Sequence, residues 1–240
     1  MSELSEKRFF KVLNNNQLKI IAMISMLIDH IGLVFFPNII ILRYIGRLAF
    51  PIYAYMIAEG CRYTKNRKKY LGIIAVMAII FQIVYFVFMQ SIYQGILVNF
   101  SFSIATIFAI ESFFKNKKAL NKIFMVVFIS TVLFIYLCLP IIFEEYGFYI
   151  DYDIWGLLLP ILVYFAPNKW CRAIFTATLL IIMTIVSGKN MQWWSLLTIP
   201  LFILYNEERG SKKLKYVFYI FYPLHLVIIY GIMFLLQILK

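Results

Sequence analysis

Long apolar segments alternate with short polar ones along almost the whole chain. The apolar segments cover residues 18–36, 40–59, 70–89, 94–114, 122–141, 153–166, 171–187, 191–205 and 217–238. Most of them approach the length of about 20 residues that a membrane-spanning helix needs. The short alternating segments of a membrane β-barrel are absent. The pattern predicts an all-α polytopic membrane protein with about nine transmembrane helices in one bundle, the sixth to eighth being the shortest.

The composition agrees with this fold class. Hydrophobic residues make up 63% of the 240 residues and charged residues 14%, whereas globular chains carry about 45–50% apolar residues. No repeat, linker or polar domain interrupts the pattern, so we expect a single domain over residues 1–240. The segment MSELSEKRFFKVLNNN is polar, and no small-residue cleavage site follows the first span, which we therefore expect to be retained.

The basic residues are distributed unevenly between alternate loops. If the N-terminus is cytoplasmic, the inner loops are the basic segments 61–70, 115–122, 167–172 and 206–215. The outer loops, FPN, MQSIYQG, IIFEEYGFYIDYD and SGKN, contain Lys189 as their one basic residue. Cytoplasmic loops of membrane proteins carry an excess of Lys and Arg. The sequence therefore predicts a cytoplasmic N-terminus and a C-terminus outside.

Two other classes of function receive no support. Orientation in the membrane accounts for the net charge of +12, so nucleic-acid binding is not expected. Cys61, Cys138 and Cys171 are odd in number and lack the spacing of metal ligands, so neither a disulfide framework nor a metal site is predicted.

A few ionisable residues lie inside the predicted spans. They are Asp29 and His30 in the first span, Arg43, Arg47 and Glu59 in the second, Glu111 in the fourth and His225 in the last. Ionisable residues at membrane depth usually face the protein interior and mark a functional path. These residues are therefore the candidates for chemistry.

Each candidate also has a structural explanation. Asp29 and His30 can form ion pairs with Arg43 or Arg47 that only fix helix packing, the two glutamates can pair with the basic loops, and His225 can bond a backbone carbonyl. Buried ion pairs are poor stabilisers, and burial in a membrane raises their cost. We therefore favour a functional role for Asp29, His30 and Arg47. For His225 the sequence favours neither the functional nor the structural role.

Helical periodicity places these side chains on faces. Lys19 and His30 are eleven residues apart, close to three turns, so they share one face of the first helix about 16 Å apart. Arg43 and Arg47, at i and i+4, share a face of the second helix. Asp29 and His30 are adjacent and point apart, so Asp29 is not expected to orient His30.

Three segments resemble the TraX family, in the order in which they occur. These are LKIIAMISMLIDHIG, LRYIGRLAFPIYAYMIAEGCRYTKNRKKYL and FYIFYPLHL, and the resemblance is densest over Leu18–Leu71 and returns at Phe218–Leu226. The family's best-known member is implicated in acetylating the amino terminus of a conjugative pilin subunit. The family is also similar to membrane acyltransferases that carry an arginine, ten residues and a histidine in the first span. Lys19 and His30 hold those positions here, with lysine in place of arginine.

The resemblance implies an acyltransferase that uses acetyl-CoA as the acyl donor. Acyl transfer needs a base for the acceptor's proton and positive charge where the oxyanion develops. The expected catalytic residues are His30 as the base, Arg47 as the charge stabiliser or ion-pair partner, Asp29 and His225. The expected cofactor-binding residues are Lys19, Arg62, Arg67, Lys68, Lys69 and Glu59. The basic loops at 62–69 and 115–118 would meet the coenzyme phosphates, and no metal is implied.

The acceptor is expected to be exported, with an amine such as a peptide or pilin-like amino terminus favoured over a hydroxyl of an envelope glycan. The resemblance implies an integral protein of the bacterial cytoplasmic membrane, in contact with lipid. A transporter with Asp29 and His30 as a proton relay is an alternative, although the chain lacks the internal symmetry of many transporters. A purely structural partner of a secretion assembly would leave the buried ionisable residues unexplained.

Overall fold

Regular secondary structure is helical throughout the part of the chain that the computed structural model describes. That part comprises residues 12–115, 119–208, 210–211 and 214–238, with the side chains of Lys215 and Tyr216 excepted. Within it, extended pairing is limited to two isolated bridges, Leu13 with Tyr205 and Gln94 with Ile150. Residues 1–11, which include most of the polar N-terminal segment, lie outside the described residues.

The described residues form eleven α-helices and two 3₁₀ helices. The α-helices are α1 Asn15–Phe35, α2 Ile40–Gly46, α3 Ala49–Tyr63, α4 Arg67–Met89, α5 Ile96–Lys115, α6 Ala119–Leu137, α7 Leu139–Ile142, α8 Asp153–Phe165, α9 Lys169–Ser187, α10 Thr198–Leu204 and α11 Lys215–Ile238. The 3₁₀ helices cover Glu144–Tyr146 and Asn190–Leu197.

Seven helical segments in the described part are long and apolar enough to cross a membrane. They are Asn15–Phe35, Ile40–Tyr63, Arg67–Met89, Ile96–Lys115, Ala119–Ile142, Lys169–Ser187 and Val217–Ile238. The prediction of an all-α fold is thereby confirmed for the described residues, with seven candidate membrane-spanning helices, and the count of nine spans stays a prediction. The remaining two predicted spans are shorter in the structure. The span at 153–166 coincides with the 13-residue helix α8, and the span at 191–205 with a 3₁₀ helix followed by α10.

Asparagine residues cap three of the long helices. Asn14 accepts a hydrogen bond from the backbone N–H of Gln17, and the Gln17 side chain accepts one from the backbone N–H of Asn14, which makes a capping box. Asn66 and Asn168 cap α4 and α9 with one side-chain bond each. A cap satisfies N–H groups that the first helical turn leaves without partners, so these residues determine where α1, α4 and α9 begin.

The second predicted span is interrupted close to its middle. Its α-helix stops at Gly46 and resumes at Ala49, with Arg47 and Leu48 in a turn. Pro51 has no N–H to donate to the carbonyl of Arg47, four residues earlier, and its ring disfavours a continuous helix there. The proline itself lies in the first turn of α3, where a missing N–H costs little. The break therefore follows from the local sequence.

The structure divides into two compact units. The terminal unit contains the described residues of Met1–Met56 and Ala166–Lys240, and the central unit contains those of Ile57–Phe165. In the terminal unit, α1 packs against α2 and α11, and α9 packs against α10 and the 3₁₀ helix Asn190–Leu197. In the central unit, α5 packs against α4, α6 and α8. The interpretation of residues 1–240 as one domain stays a prediction.

The central unit has a buried polar core beside its apolar contacts. Asn99 donates to the carbonyl of Asp151 and accepts from the hydroxyl of Tyr136, and the Ser103 hydroxyl lies 2.8 Å from the carbonyl of Leu157. Gly156 lacks the Cβ that would lie 2.4 Å from the Asn99 amide nitrogen. These hydrogen bonds join α5, α6 and α8. They also satisfy the polar groups, whose burial away from water would otherwise cost free energy.

Large apolar side chains are exposed along several of the long helices. On α4, for example, Val76, Ile79 and Ile83 are each more than half exposed. A soluble protein rarely exposes such continuous apolar surface, whereas helices facing lipid do so routinely.

Candidate functional site

Asp29 is held between two arginines in the terminal unit. Its Oδ2 atom lies 2.7 Å from Nη1 of Arg43, and its Oδ1 atom lies 3.0 Å from Nη2 of Arg47. Nη2 of Arg47 also lies 3.2 Å from Oδ2, and its Nε atom donates to the carbonyl of Arg43. The three side chains are between 13% and 22% exposed. The ion pairing that was the structural alternative for Asp29 is thus present, and it involves both Arg43 and Arg47. One carboxylate and two guanidinium groups leave a net charge of +1.

Two glycines allow α1 and α2 to approach closely enough for this contact. A Cβ on Gly46 would lie 2.0 Å from Oδ1 of Asp29, and a Cβ on Gly32 would lie 2.6 Å from Cβ of Leu42. Real Cβ atoms do not approach other atoms so closely, so both positions require the absence of a side chain. Sequence reasoning did not identify either glycine as a contact position, although Gly32 and Gly46 both lie within segments of the TraX resemblance.

His30 of α1 and His225 of α11 face each other. Their ring centroids are 5.0 Å apart, and the rings meet edge to face with an interplanar angle of 69°. Nδ1 of His30 lies 2.9 Å from the carbonyl oxygen of Met26, and Nδ1 of His225 lies 2.9 Å from that of Phe221. The tertiary structure thus joins two candidates almost 200 positions apart. The expectation that His225 bonds a backbone carbonyl is confirmed for one of its two ring nitrogens.

The contacts to carbonyl oxygens determine which ring nitrogens carry hydrogen. A carbonyl only accepts hydrogen bonds, so Nδ1 is the donor in both rings. In the neutral rings Nε2 then carries the lone pair and can accept a proton. His225 is 4% exposed, and its Nε2 atom is buried without a hydrogen-bond partner among the described residues. The histidine pair, His30 with His225, therefore offers proton-accepting nitrogens inside the terminal unit.

Aromatic side chains surround His225. Phe221 stacks on the imidazole with a centroid distance of 4.8 Å, and Tyr222 meets it edge to face at 6.0 Å. Tyr222 in turn meets Tyr53 of α3 edge to face at 6.2 Å. Rigid aromatic neighbours restrict rotation of the imidazole, which keeps its orientation defined.

Lys19, the candidate at the start of α1, contacts α11. Its Nζ atom lies 5.3 Å from the ring centroid of Phe218, a distance at which a cation is attracted to an aromatic face. The side chain therefore has an aromatic partner in the terminal unit, and a contact with a coenzyme phosphate stays a prediction.

The remaining cofactor candidates lie in the central unit. Glu59 is 1% exposed, and its Oε1 atom lies 3.6 Å from Nη1 of Arg62. Nη2 of Arg62 donates to the carbonyls of Val163 and Tyr164, and its guanidinium lies 5.6 Å from the Tyr164 ring. Arg62 thereby ties the end of α3 to the end of α8. These contacts confirm the structural alternative for Glu59 as partner of a basic loop.

Arg67 is engaged in a similar way. It pairs with Glu111 of α5, and its guanidinium lies 5.0 Å from the ring of Phe108. The second carboxylate oxygen of Glu111 accepts a hydrogen bond of 2.5 Å from the Tyr164 hydroxyl. Glu111 is thus a partner of a basic loop, which confirms the structural alternative for this residue. Arg62 and Arg67 both join helices of the central unit.

Exposed lysines precede and begin α4. Lys65 lies in the loop before α4, and Lys68 and Lys69 lie in its first turn with exposed side chains. Clustered cations beside the N-terminal N–H groups of a helix suit phosphate groups. Several other predicted inner-loop bases lie outside the described residues, namely Lys117, Lys118, Arg209, Lys212 and Lys213.

The described residues contain no group of three or more His, Cys, Asp or Glu side chains placed to hold a metal ion. Cys61, Cys138 and Cys171 are free thiols.

Known proteins are similar to parts of this chain. The family model for the TraX protein matches residues 14–233. A 70-residue segment is 37% identical to the probable fimbrial assembly protein FimC, serogroup H1, of Dichelobacter nodosus, covering 28% of this chain and 29% of that protein. A 103-residue segment is 33% identical to an uncharacterised protein of Rickettsia prowazekii (strain Madrid E), covering 41% of this chain and 40% of that protein.

The matched segments span less than half the length of these curated relatives. No solved structure gives a significant match. The family model, by contrast, covers α1, α2, the turn that follows α2 and most of α11, which together carry Asp29, the histidine pair and both arginines. On that match the chain belongs to the TraX family.

Proposed function

We propose that this TraX-family protein is a membrane-embedded acetyltransferase. It moves an acetyl group from cytoplasmic acetyl-CoA to an exported acceptor, with an amine such as a peptide or pilin-like amino terminus favoured. The observation that carries the proposal is the histidine pair, with His225 buried and His30 half-buried, beside a positively charged Asp29–Arg43–Arg47 network, in a chain matched by the TraX model over residues 14–233. The pilin acetylation associated with the family, and the relative named for fimbrial assembly, support the choice of acceptor.

In this proposal His30 is the general base. An imidazole titrates near neutral pH and suits proton transfer, and the Nδ1 contact with Met26 leaves Nε2 of His30 as the acceptor. Arg47 and Arg43 supply positive charge for the oxyanion that forms when the acyl carbonyl is attacked. Asp29 holds both guanidinium groups in place, so its role is positioning. The acetyl thioester supplies the activated acyl group.

The donor is proposed to bind at the cytoplasmic face. Lys68 and Lys69 are the proposed contacts of its phosphates. Arg62, Arg67 and Glu59 contribute by holding the ends of the central-unit helices through the pairs described above. Exposed charge pairing weakens with salt, so donor affinity should fall as ionic strength rises.

The proposal includes the topology. The chain crosses the bacterial cytoplasmic membrane about nine times, with a cytoplasmic N-terminus and an outside C-terminus, and α8 and the segment of Asn190–Leu197 with α10 form the two short crossings. The charge asymmetry of the loops supports this orientation. Donor and acceptor then reach the protein from opposite faces.

One experiment tests both the activity and the sidedness. Purified protein is reconstituted in vesicles of known orientation, acetyl-CoA is added to one side, and acetylation of a peptide amine on the other side is followed by mass spectrometry. We expect acetylation only when acetyl-CoA is on the side of the N-terminus. Equal acetylation from either side contradicts the sidedness, and proton-coupled solute uptake without acetyl transfer contradicts the enzyme.

His30→Ala identifies the base. Loss of a positioned acid or base should lower turnover at least about 10²-fold. Ile24→Ala is the matched control, because Ile24 is 53% exposed on the same helix. Near-normal turnover in a folded His30→Ala variant removes His30 from the mechanism.

A further inference from the structure

The buried Nε2 atom of His225 has no assigned partner. It lacks a hydrogen-bond partner among the described residues, while Nδ1 of the same ring is satisfied by the Phe221 carbonyl. Buried polar atoms are rarely left in this state, and each such atom needs an explanation. Because Nδ1 carries the hydrogen, the unsatisfied position is the lone pair, the part of the ring that takes up a proton.

The two imidazoles differ in their electrostatic surroundings. The charges of Asp29, Arg43 and Arg47 act on His30, whereas the ionisable group that acts on His225 among the described residues is His30 itself. The oxyanion of acyl transfer is therefore stabilised on the His30 side of the pair. His225 contacts His30 with one part of its ring and stacks on Phe221. It can therefore accept a proton other than the one that His30 accepts.

Acylation of an ammonium group requires the removal of two protons. An α-amino group has a pKa of about 7.7–8.0, so at pH 7 most of it is R–NH₃⁺. The overall reaction is R–NH₃⁺ + CH₃CO–S–CoA → R–NH–CO–CH₃ + HS–CoA + H⁺. The first proton must leave before nitrogen has a lone pair for attack, and the second leaves as the amide forms. A hydroxyl acceptor would lose one proton, so one base would suffice for it.

We propose that His225 is a second catalytic base that deprotonates the acceptor's ammonium group, an inference that rests on the acetyltransferase function proposed above. Nε2 of His225 takes the first proton and releases it to water, since two adjacent imidazolium ions would repel each other. The neutral amine then attacks the acetyl carbonyl carbon. Nε2 of His30 takes the second proton as the C–N bond forms, and passes it to the coenzyme sulfur as the C–S bond breaks. The Arg43 and Arg47 charges stabilise the intervening oxyanion.

The role predicts a dependence on the acceptor that a structural histidine would not show. The probes are a peptide with a free glycine amino terminus and the same peptide ending in an aminooxyacetyl group. The aminooxy nitrogen is already neutral at pH 7, because the neighbouring oxygen lowers its basicity, so it needs only the second deprotonation. The variant His225→Asn keeps an amide N–H for the Phe221 carbonyl and removes the imidazole Nε2, and His225→Gln is the second variant.

The full-length protein is assayed at pH 7 with acetyl-CoA, and kcat is measured for both peptides. With the glycyl peptide, both His225 variants should lose about 5- to 10-fold, because roughly a tenth to a sixth of the amine is already neutral at pH 7 and still reacts, and with the aminooxy peptide they should lose less than about 2-fold. His30→Asn should lose at least about 10²-fold with both. Leu224→Ala, at a 48% exposed position next to His225, should keep both activities and is the matched control.

The outcomes separate the two proposals. Retained turnover of the aminooxy peptide together with the loss for the glycyl peptide shows that the His225 variant is folded and supports the two-base mechanism. If wild-type protein acetylates both peptides while the His225 variants lose both equally, or lose neither, the role of His225 is wrong and the acetyltransferase stands. If wild-type protein acetylates neither peptide, the acetyltransferase proposal itself fails.

Discussion

Replacement of Gly46 by alanine tests whether the close approach of α1 and α2 holds the charged network together. A Cβ at this position would lie 2.0 Å from Oδ1, 2.3 Å from Cγ and 2.4 Å from Cβ of Asp29. Rotation of the carboxylate moves Oδ1 and Cγ but leaves Cβ where the backbone of α1 places it. Relief of the overlap therefore requires the two helices to separate, which lengthens the contacts of Asp29 with Arg43 and Arg47.

The sign of the effect follows from two opposing terms. Alanine is favoured over glycine inside a helix by roughly 0.5–1 kcal/mol. Overpacking at a tight contact costs about 1–3 kcal/mol, and the stretched ion pairs add to it. We therefore expect Gly46→Ala to lower the free energy of unfolding by about 1–2 kcal/mol. For a chain of this size, about 1 kcal/mol shifts the midpoint by about 2–4 °C, so the midpoint should fall by roughly 2–8 °C.

Gly231→Ala is the matched control, because nothing lies within 4 Å of a Cβ added to Gly231 in α11. It should leave the midpoint unchanged or raise it slightly. Thermal unfolding of both variants in one detergent can be followed by tryptophan fluorescence, since Trp194 stacks on Tyr44 of α2 with a centroid distance of 4.9 Å. A midpoint for Gly46→Ala at or above that of Gly231→Ala would refute the packing argument.

Two further predictions concern charge. If pairing with Asp29 is the main role of Arg47, Arg47→Lys should retain much of the transfer activity, because an ammonium group can still pair with the carboxylate, and Arg47→Ala should lose the activity. Equal losses in the two variants would indicate a forked contact to the acyl oxygen, and full activity in Arg47→Ala would reject both roles. Replacing Lys68 and Lys69 together with glutamine should raise KM for acetyl-CoA several-fold at low salt and change KM for the acceptor less, whereas Lys189→Gln, which removes one positive charge from a predicted outer loop, should leave both constants unchanged. Equal values of KM for acetyl-CoA in the wild-type protein and both variants would contradict the phosphate role.

The sequence alone determined the class of the fold, because hydropathy depends on composition over about 20 residues and not on which helices meet. The helix starts at Asn14, Asn66 and Asn168 are likewise local, since a cap bonds within its own first turn. Helical periodicity also separated Asp29 from His30, and in the structure they have different partners. Each of these features rests on contacts within a few residues.

Only the tertiary structure decided which faces meet. Periodicity assigns a residue to a face of its helix but does not say which other helix lies against that face. His30 and His225, and the ends of α3 and α8 joined by Arg62, are distant in sequence and come together through packing. The requirement for glycine at position 46 likewise exists only because Asp29 of another helix occupies the space of its Cβ. The sequence thus identified the ionisable residues, and packing between helices determined which of them act together.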